Sequence, residues 1–182
     1  MAISAQERAQ LVTLAQQAVG ATVRGEPLPQ PEGLSGVLAQ QRGCFVTLTN
    51  KGSLRGCIGT FSPDRPLGQM IVAMGAAAAR DPRFTLDPIS PQELDELDLE
   101  VSVLSELELT AQPDKLEVGR HGIYVVGRGR AGCFLPEVAT DQGWTAAQFL
   151  DYCCVSKAGL PAGAWRDPAV KVFLFTSEKF DG

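Results

Sequence analysis

The sequence contains one histidine, two tryptophans and two tyrosines in 182 residues, and its five cysteines include no Cys-x-x-Cys pair. A structural zinc site needs four ligands at regular spacings, and a lone His121 with the adjacent Cys153-Cys154 does not supply them. Positive charge is scarce as well: 16 Lys and Arg stand against 21 Asp and Glu, for a net charge of −5, and no basic run stands out. A protein that binds nucleic acid by neutralising phosphates needs the opposite balance. The first residues lack the basic start and continuous apolar core of a secretory signal. The longest apolar stretch, Leu67 to Ala79, is too short and too rich in small residues to span a bilayer. An odd number of cysteines without an export signal predicts reduced thiols, not a disulfide framework. The expectation is a soluble cytoplasmic protein with no metal, no cofactor, and neither nucleic acid nor membrane as a partner.

What is present is enough apolar material, 45% of the residues, for one globular domain over 1–182. Ser4-Ala5-Gln6-Glu7 is a capping box, and Leu11, Leu14, Ala15 and Ala18 then recur at helical spacing, which predicts a helix over 4–24. Pro27, Pro29 and Pro31, with Gly33 and Gly36 after them, leave no room for a helix in the next segment. Cys44 to Thr49 and Leu54 to Phe61 flank the turn chemistry of Asn50-Lys51-Gly52-Ser53, so they read as a β-hairpin. Pro66 opens a second helix with Leu67, Met70, Ile71, Met74 and Ala77 on its buried stripe, and Asp81-Pro82 stops it. Ser90-Pro91-Gln92-Glu93 is another cap, followed by a strand through Leu99, Val101 and Val103 toward Leu107 and Leu109.

The order then recurs. Gly122 to Val126 and Ala131 to Leu135 form a hairpin across Gly127-Arg128-Gly129-Arg130. Thr145 with Gln148 caps a helix carrying Phe149, Leu150 and Cys153 on one face, Gly159 ends it, and Val170 to Phe175 is a last strand. Gly43 and Gly122 each open a hairpin, and Gly56-Cys57 falls where Gly132-Cys133 falls. The reading is an α+β fold: an antiparallel sheet system with helices, built from two hairpin-helix-strand repeats over 43–110 and 119–180.

The chemistry concentrates on Leu54-Arg55-Gly56-Cys57-Ile58-Gly59-Thr60-Phe61. With Leu54 and Ile58 toward the core, strand alternation brings Arg55 and Cys57 out together on the other face. Gly56 and Gly59 then leave the backbone open to close approach, and its N–H groups available to an anion. Cys57 beside a guanidinium is the candidate nucleophile, with His121 the candidate base; the plainer alternatives are a small buried strand residue and a structural histidine. Arg83 and Phe84, at the exit of the second helix, are candidate binding residues, although an arginine there also serves to bond the preceding carbonyls. By the repeat, Glu137 in Leu135-Pro136-Glu137-Val138 comes to the same rim as Gly59-Thr60-Phe61, unless it is a solvated loop carboxylate. Trp144 and Trp165 read as packing anchors, and Cys153-Cys154 as a helical pair with one side chain inward.

The octet 54–61 resembles the hallmark of the AMMECR domain family, of the prokaryotic AmmeMemoRadiSam system protein A type. Asp81-Pro82-Arg83-Phe84, Val101 to Leu104, His121-Gly122-Ile123, Leu135 to Val138, Gly143-Trp144, Phe149-Leu150 and Lys157 to Leu160 are similar to its further blocks, in the same order. Two departures stand out: Thr85-Leu86 follows Phe84 where the family tends to have proline, and Glu137 replaces a common glutamine. The resemblance implies an α+β fold with two internal repeats and a cleft around the octet. It implies no reaction. It points to partners of Memo and radical-SAM type, and to an accessory component that binds a small acidic ligand or a protein segment in the Arg55, Gly56, Gly59, Thr60, Arg83, Phe84 and Glu137 region. A cysteine-dependent enzyme using Cys57 is the alternative.

Overall fold

A computed structural model describes residues 3–182. In chain order its helices are α1 (Ala5–Arg24), α2 (Leu67–Ala78), α3 (Pro136–Gln142) and α4 (Ala146–Tyr152). Its strands are β1 (Cys44–Asn50), β2 (Ser53–Thr60), β3 (Leu97–Leu104), β4 (Glu108–Thr110), β5 (Gly122–Gly127), β6 (Arg130–Phe134), β7 (Lys171–Phe175) and β8 (Ser177–Asp181). The fold is α+β, with two four-stranded sheets, ordered β2-β1-β3-β8 and β4-β7-β5-β6. The chain divides into two compact units: one runs to Leu104 and takes back Glu178–Gly182, and the other is Ser105–Ser177.

The first unit is α1 and α2 laid on one face of its sheet. The Ser4 hydroxyl accepts from the Glu7 amide while the Glu7 carboxylate accepts from Ser4, and Gly25 closes α1 in the left-handed region at φ 71°. This is the helix that the capping box predicts. Leu11, Ala15 and Val19 of α1 and Leu67, Met70 and Ile71 of α2 join Val46, Leu48, Val101 and Val103 in one core. The second unit buries Ile123, Val125 and Val172 of its sheet against Phe149, Leu150 and Trp165.

Several expectations are corrected. The strand through Val103 does not continue toward Leu109: it ends at Leu104, and β4 pairs with β7 in the other sheet. The Ser105 amide donates to Thr176 O and the Ser105 hydroxyl accepts from the Thr176 amide, which turns the chain out of β3. The last five-residue strand, β8, was not expected at all, and it lies in the first sheet, so the single sheet system becomes two. Leu135 to Val138 is not a loop: Pro136 starts α3 and Gly143, at φ 66°, ends it. Cys153 and Cys154 are both buried, because α4 widens into a π-helical turn over Cys153–Lys157 that carries both inward. A 3-10 turn, Gly36–Ala39, forms in the segment expected to hold no helix. All five cysteines are free thiols, and no described helix is long and apolar enough to cross a membrane.

Both hairpins close through two left-handed residues, Lys51 (φ 50°) with Gly52 (φ 79°) and Arg128 (φ 53°) with Gly129 (φ 72°). Their right-handed strand twist demands this mirror-image turn, which asparagine tolerates better than lysine. Lys51 pairs with Glu96 only at the surface, with 80% of its own side chain exposed, and such a pair adds little. Lys51→Asn is expected to raise the urea midpoint, corresponding to about 0.5 kcal/mol of stabilisation.

Candidate functional site

Strand β2 pairs with β1 in two registers. Leu48 faces Gly56 but Thr49 faces Leu54, so Arg55 is an extra residue in a β-bulge. The bulge breaks the alternation on which the sequence reading relied. Leu54 is 38% exposed and not a core residue, while the Arg55 side chain is only 11% exposed. A guanidinium so far removed from water needs partners. Nε donates to Glu93 Oε1 at 2.6 Å and Nη2 to Glu93 Oε2 at 3.0 Å, a two-pronged contact. Nη1 reaches Asp87 Oδ2 at 2.8 Å, and Nη2 the Asp87 carbonyl at 3.1 Å. Its hydrogen bond to Arg55 holds the Glu93 carboxyl below its usual range, and Glu93 in turn raises Arg55. Glu93 thus serves Arg55 and Asn50, and Ser90, expected to cap this turn, makes no side-chain cap.

Beyond the bulge the alternation holds. Gly56 faces the helices, where a Cβ would overlap the Ala78 carbonyl at the end of α2. At Gly59 a Cβ would overlap the Phe45 ring and the Cys44 carbonyl. The close approach that these glycines permit is therefore made by the chain's own helix end and ring, and the Gly56-Gly59 backbone is not an open cradle. Phe45 also meets Phe61 edge to face at 5.2 Å, and Thr60 Oγ1 accepts from the Ser62 amide.

Cys57 lies on the face of the sheet away from the helices, half-buried, opposite Thr47. The Thr47 hydroxyl donates to its sulfur at 3.3 Å. The amide of Cys57, expected to be open to an anion, donates to Asp81 Oδ2 at 3.0 Å. Asp81, just past α2, has a side chain only 1% exposed. It also accepts from the Arg83 amide and Nε, both at 3.0 Å, and from Arg83 Nη2 at 2.6 Å. These bonds, Arg83's guanidinium first, hold the Asp81 carboxyl far below its usual range against the burial that would raise it. Arg83 Nη2 reaches the Cys57 carbonyl as well, at 3.3 Å. Since β2 is a sheet edge, Asp81 and Arg83 occupy its otherwise unpaired amide and carbonyl.

The Phe84 ring meets two guanidinium groups, with its centroid 5.8 Å from Arg55 and 5.8 Å from Arg83. The structure thus brings Arg55, Cys57, Arg83 and Phe84 into one corner of the first unit, and adds Thr47, Asp81, Asp87 and Glu93. Asp81 was legible only as a helix stop and Glu93 only as a cap, since sequence spacing does not reveal which arginine a carboxylate meets across the fold.

His121 and Glu137 belong to the second unit. His121 Nδ1 accepts from the Glu117 amide at 3.0 Å, closing the turn before β5, so the neutral ring carries its proton on Nε2. Glu137 sits in the first turn of α3, where a carboxylate suits the helix dipole. Cys133 of β6 faces Tyr124 of β5, and burial raises its thiol above the usual range. Burial likewise pushes Cys44 up to about 12. Among the described residues no group of three or more His, Cys, Asp and Glu is placed to hold a metal ion.

The AMMECR1 family model matches residues 12–180. The chain belongs to the AMMECR1 family. A relative from Methanothermobacter thermautotrophicus is 44% identical over 98% of this chain and 95% of its own. One from Thermococcus kodakarensis is 40% identical over 94% and 88%. The crystal structure of an uncharacterised Pyrococcus horikoshii protein aligns with a TM-score of 0.83 at 37% identity, covering 94% of this chain and 89% of that one. Within the matched span, residues 54–61 are the bulged edge strand described above, clamped by Glu93, Asp87 and Asp81.

Proposed function

We propose that this AMMECR1 protein is a cytoplasmic binding component, an accessory to a system with partners of Memo and radical-SAM type, and that its binding surface is the Cys57-Arg83-Phe84 corner. One observation carries the reading. Arg83 spends Nε and Nη2 on Asp81 and the Cys57 carbonyl, while both N–H groups of its Nη1 make no hydrogen bond to a described residue, and 56% of its side chain is exposed. A guanidinium locked on one edge and free on the other is pre-organised for a carboxylate or phosphate, and it forfeits little side-chain freedom on binding. Arg55 and Phe84 hold that edge in place; Arg55, with Glu93 and Asp87 already on it, is a brace. The octet's resemblance to the AmmeMemoRadiSam protein A type supports the choice of partners.

The repeat belongs to the same proposal. The orders β2-β1-β3-β8 and β6-β5-β7-β4 correspond strand for strand, and Gly56 and Gly132 each receive the end of a helical segment, Ala78 and Lys157-Ala158. In the second half, no Asp-Pro-Arg-Phe segment follows the helix, so the anion-binding edge is peculiar to the first.

The test is a metabolite and pull-down screen comparing wild type with Arg83→Ala. Acidic ligands or partners retained by the wild type should be lost from the variant, and an identical catch would sink the proposal. The competing reading, Cys57 as a nucleophile, is addressed by iodoacetamide labelling near neutral pH. A thiol whose hydrogen-bond partner is a hydroxyl and not a base is expected to react no faster than a free thiol. Selective, rapid alkylation of Cys57 would favour the enzyme.

A further inference from the structure

Away from the octet, a cavity of about 200 Å3 lies between α1 and the 3-10 turn Pro91–Glu96. Its walls are aliphatic: Val19 from α1, Leu48 from β1, Leu94 from the turn, and Leu97 and Leu99 from β3. Val19, Leu48 and Leu99 are buried core residues, 3%, 0% and 4% exposed, so they form a packed floor, and the half-buried Leu94 and Leu97 are the aliphatic surface open to the space. At about 30 Å3 per water in the liquid, it equals roughly seven waters, and is below the size of a drug pocket.

The rim is charged, with both signs present. Arg24, from the last turn of α1, and Asp95, from the 3-10 turn, line the cavity together with the Gln16 amide. Gly20 lets the Arg24 side chain fold back over its own helix, since a Cβ at 20 would stand 2.9 Å from Arg24 Nη1. Neither the Arg24 nor the Asp95 side chain makes a hydrogen bond or ion pair with a described residue. Four other arginines of this unit meet carboxylates, Arg8 with Glu178, Arg55 with Glu93, Arg65 with Asp64 and Arg83 with Asp81, and Arg42 bonds the Leu104 carbonyl. An unpaired cation and an unpaired anion thus share the mouth of an aliphatic cavity without meeting each other.

We propose that this cavity binds a free amino acid with an aliphatic side chain, of which leucine is the type. The side chain packs on Leu94 and Leu97 over the floor made by Val19, Leu48 and Leu99, the α-carboxylate takes the Arg24 fork, and the α-ammonium meets Asp95. The zwitterion is selected by what the alternatives leave behind. A fatty carboxylate of the same shape leaves Asp95 facing a second negative charge, and an alkyl amine leaves Arg24 facing a second positive one. Leu94 and Asp95 are the next two residues after Glu93, so a bound amino acid braces the turn that holds Arg55. The inference is independent of the function proposed for the Arg83 edge, and either stands without the other.

The probe is L-leucine, titrated calorimetrically into the wild type, Arg24→Ala and Asp95→Asn, with 4-methylpentanoate and isopentylamine as the two half-ligands. The wild type is expected to show saturable one-site binding of L-leucine, with each half-ligand and each variant weaker by about ten-fold or more, the scale of one charge-assisted contact. Both substitutions are at exposed positions, so thermal midpoints should match the wild type and assign the loss to binding. No saturable heat up to about 10 mM L-leucine, a concentration that fills even a millimolar site, overturns the proposal. So does undiminished binding in both variants, or a half-ligand that binds as well as leucine.

Discussion

Gly56→Ala is expected to destabilise the protein by about 3 kcal/mol or more, beyond the usual range for an added methyl group. The new Cβ would overlap the Ala78 carbonyl oxygen and stand 3.0 Å from its carbon. Those are backbone atoms at the end of α2, so no flexible side chain can yield; the helix must lift from β2. Lifting it disturbs Leu67, Met70 and Ile71, which α2 contributes to the first core, and it shifts Asp81, three residues past Ala78, away from the Cys57 amide. Urea denaturation with a matched Ser53→Ala control on the same strand would measure the cost. A Gly56→Ala variant as stable as the control would mean that the helix end is not seated as described.

The second large effect falls on Asp81. Its carboxylate is 1% exposed and satisfies the Cys57 amide, the Arg83 amide and the Arg83 side chain. Removing it leaves a buried edge-strand N–H without an acceptor and frees the 81–84 turn, so Asp81→Ala should cost about 2–4 kcal/mol at pH 7. The same carboxylate sets a pH dependence. Its pKa is depressed in the folded protein, so its contribution is fully present above the unfolded value near 4 and is lost as pH falls toward the folded one. Glu93, depressed by Arg55, acts in the same direction. Wild-type stability should therefore decline below about pH 5, and Asp81→Ala should show a shallower decline. Equal slopes for the two proteins would contradict the buried ion pair.

Local chemistry was legible in the sequence wherever short range decides the structure. The Ser4-Glu7 and Thr145-Gln148 boxes both form, Lys51-Gly52 and Arg128-Gly129 turn where expected, and α2 begins after Pro66. Gly56-Cys57 and Gly132-Cys133 were placed on second hairpin arms, where they stand. What escaped reading was decided by distant partners. Alternation put Arg55 and Leu54 on the wrong footing because a single inserted residue inverts the pattern, and nothing in Leu54-Arg55-Gly56 marks the insertion. Ser177 to Asp181 carries too few apolar residues to announce a strand; it is held by Phe180 on the core, by Glu178 bonded to the Ile3 amide and Arg8, and by Gly182 N on the Leu99 carbonyl. Pro136, Glu137 and Gly143 did spell out α3, and the seven-residue spacing between them passed for a loop.

The placement of β8 has a consequence for the growing chain. Strands β4 to β7 and helices α3 and α4 are one continuous run of sequence, Ser105–Ser177, whereas the first unit takes Glu178–Gly182 from beyond that run. A polypeptide emerging from the ribosome would normally complete its N-terminal part first. Here the interior segment is whole while β3 still waits for a neighbour, and the earliest-made unit is the last to close. Until residues 178–182 emerge, the β3 edge that β8 will cover stays open to other strands, so this short segment decides whether the first unit's sheet is safe from aggregation.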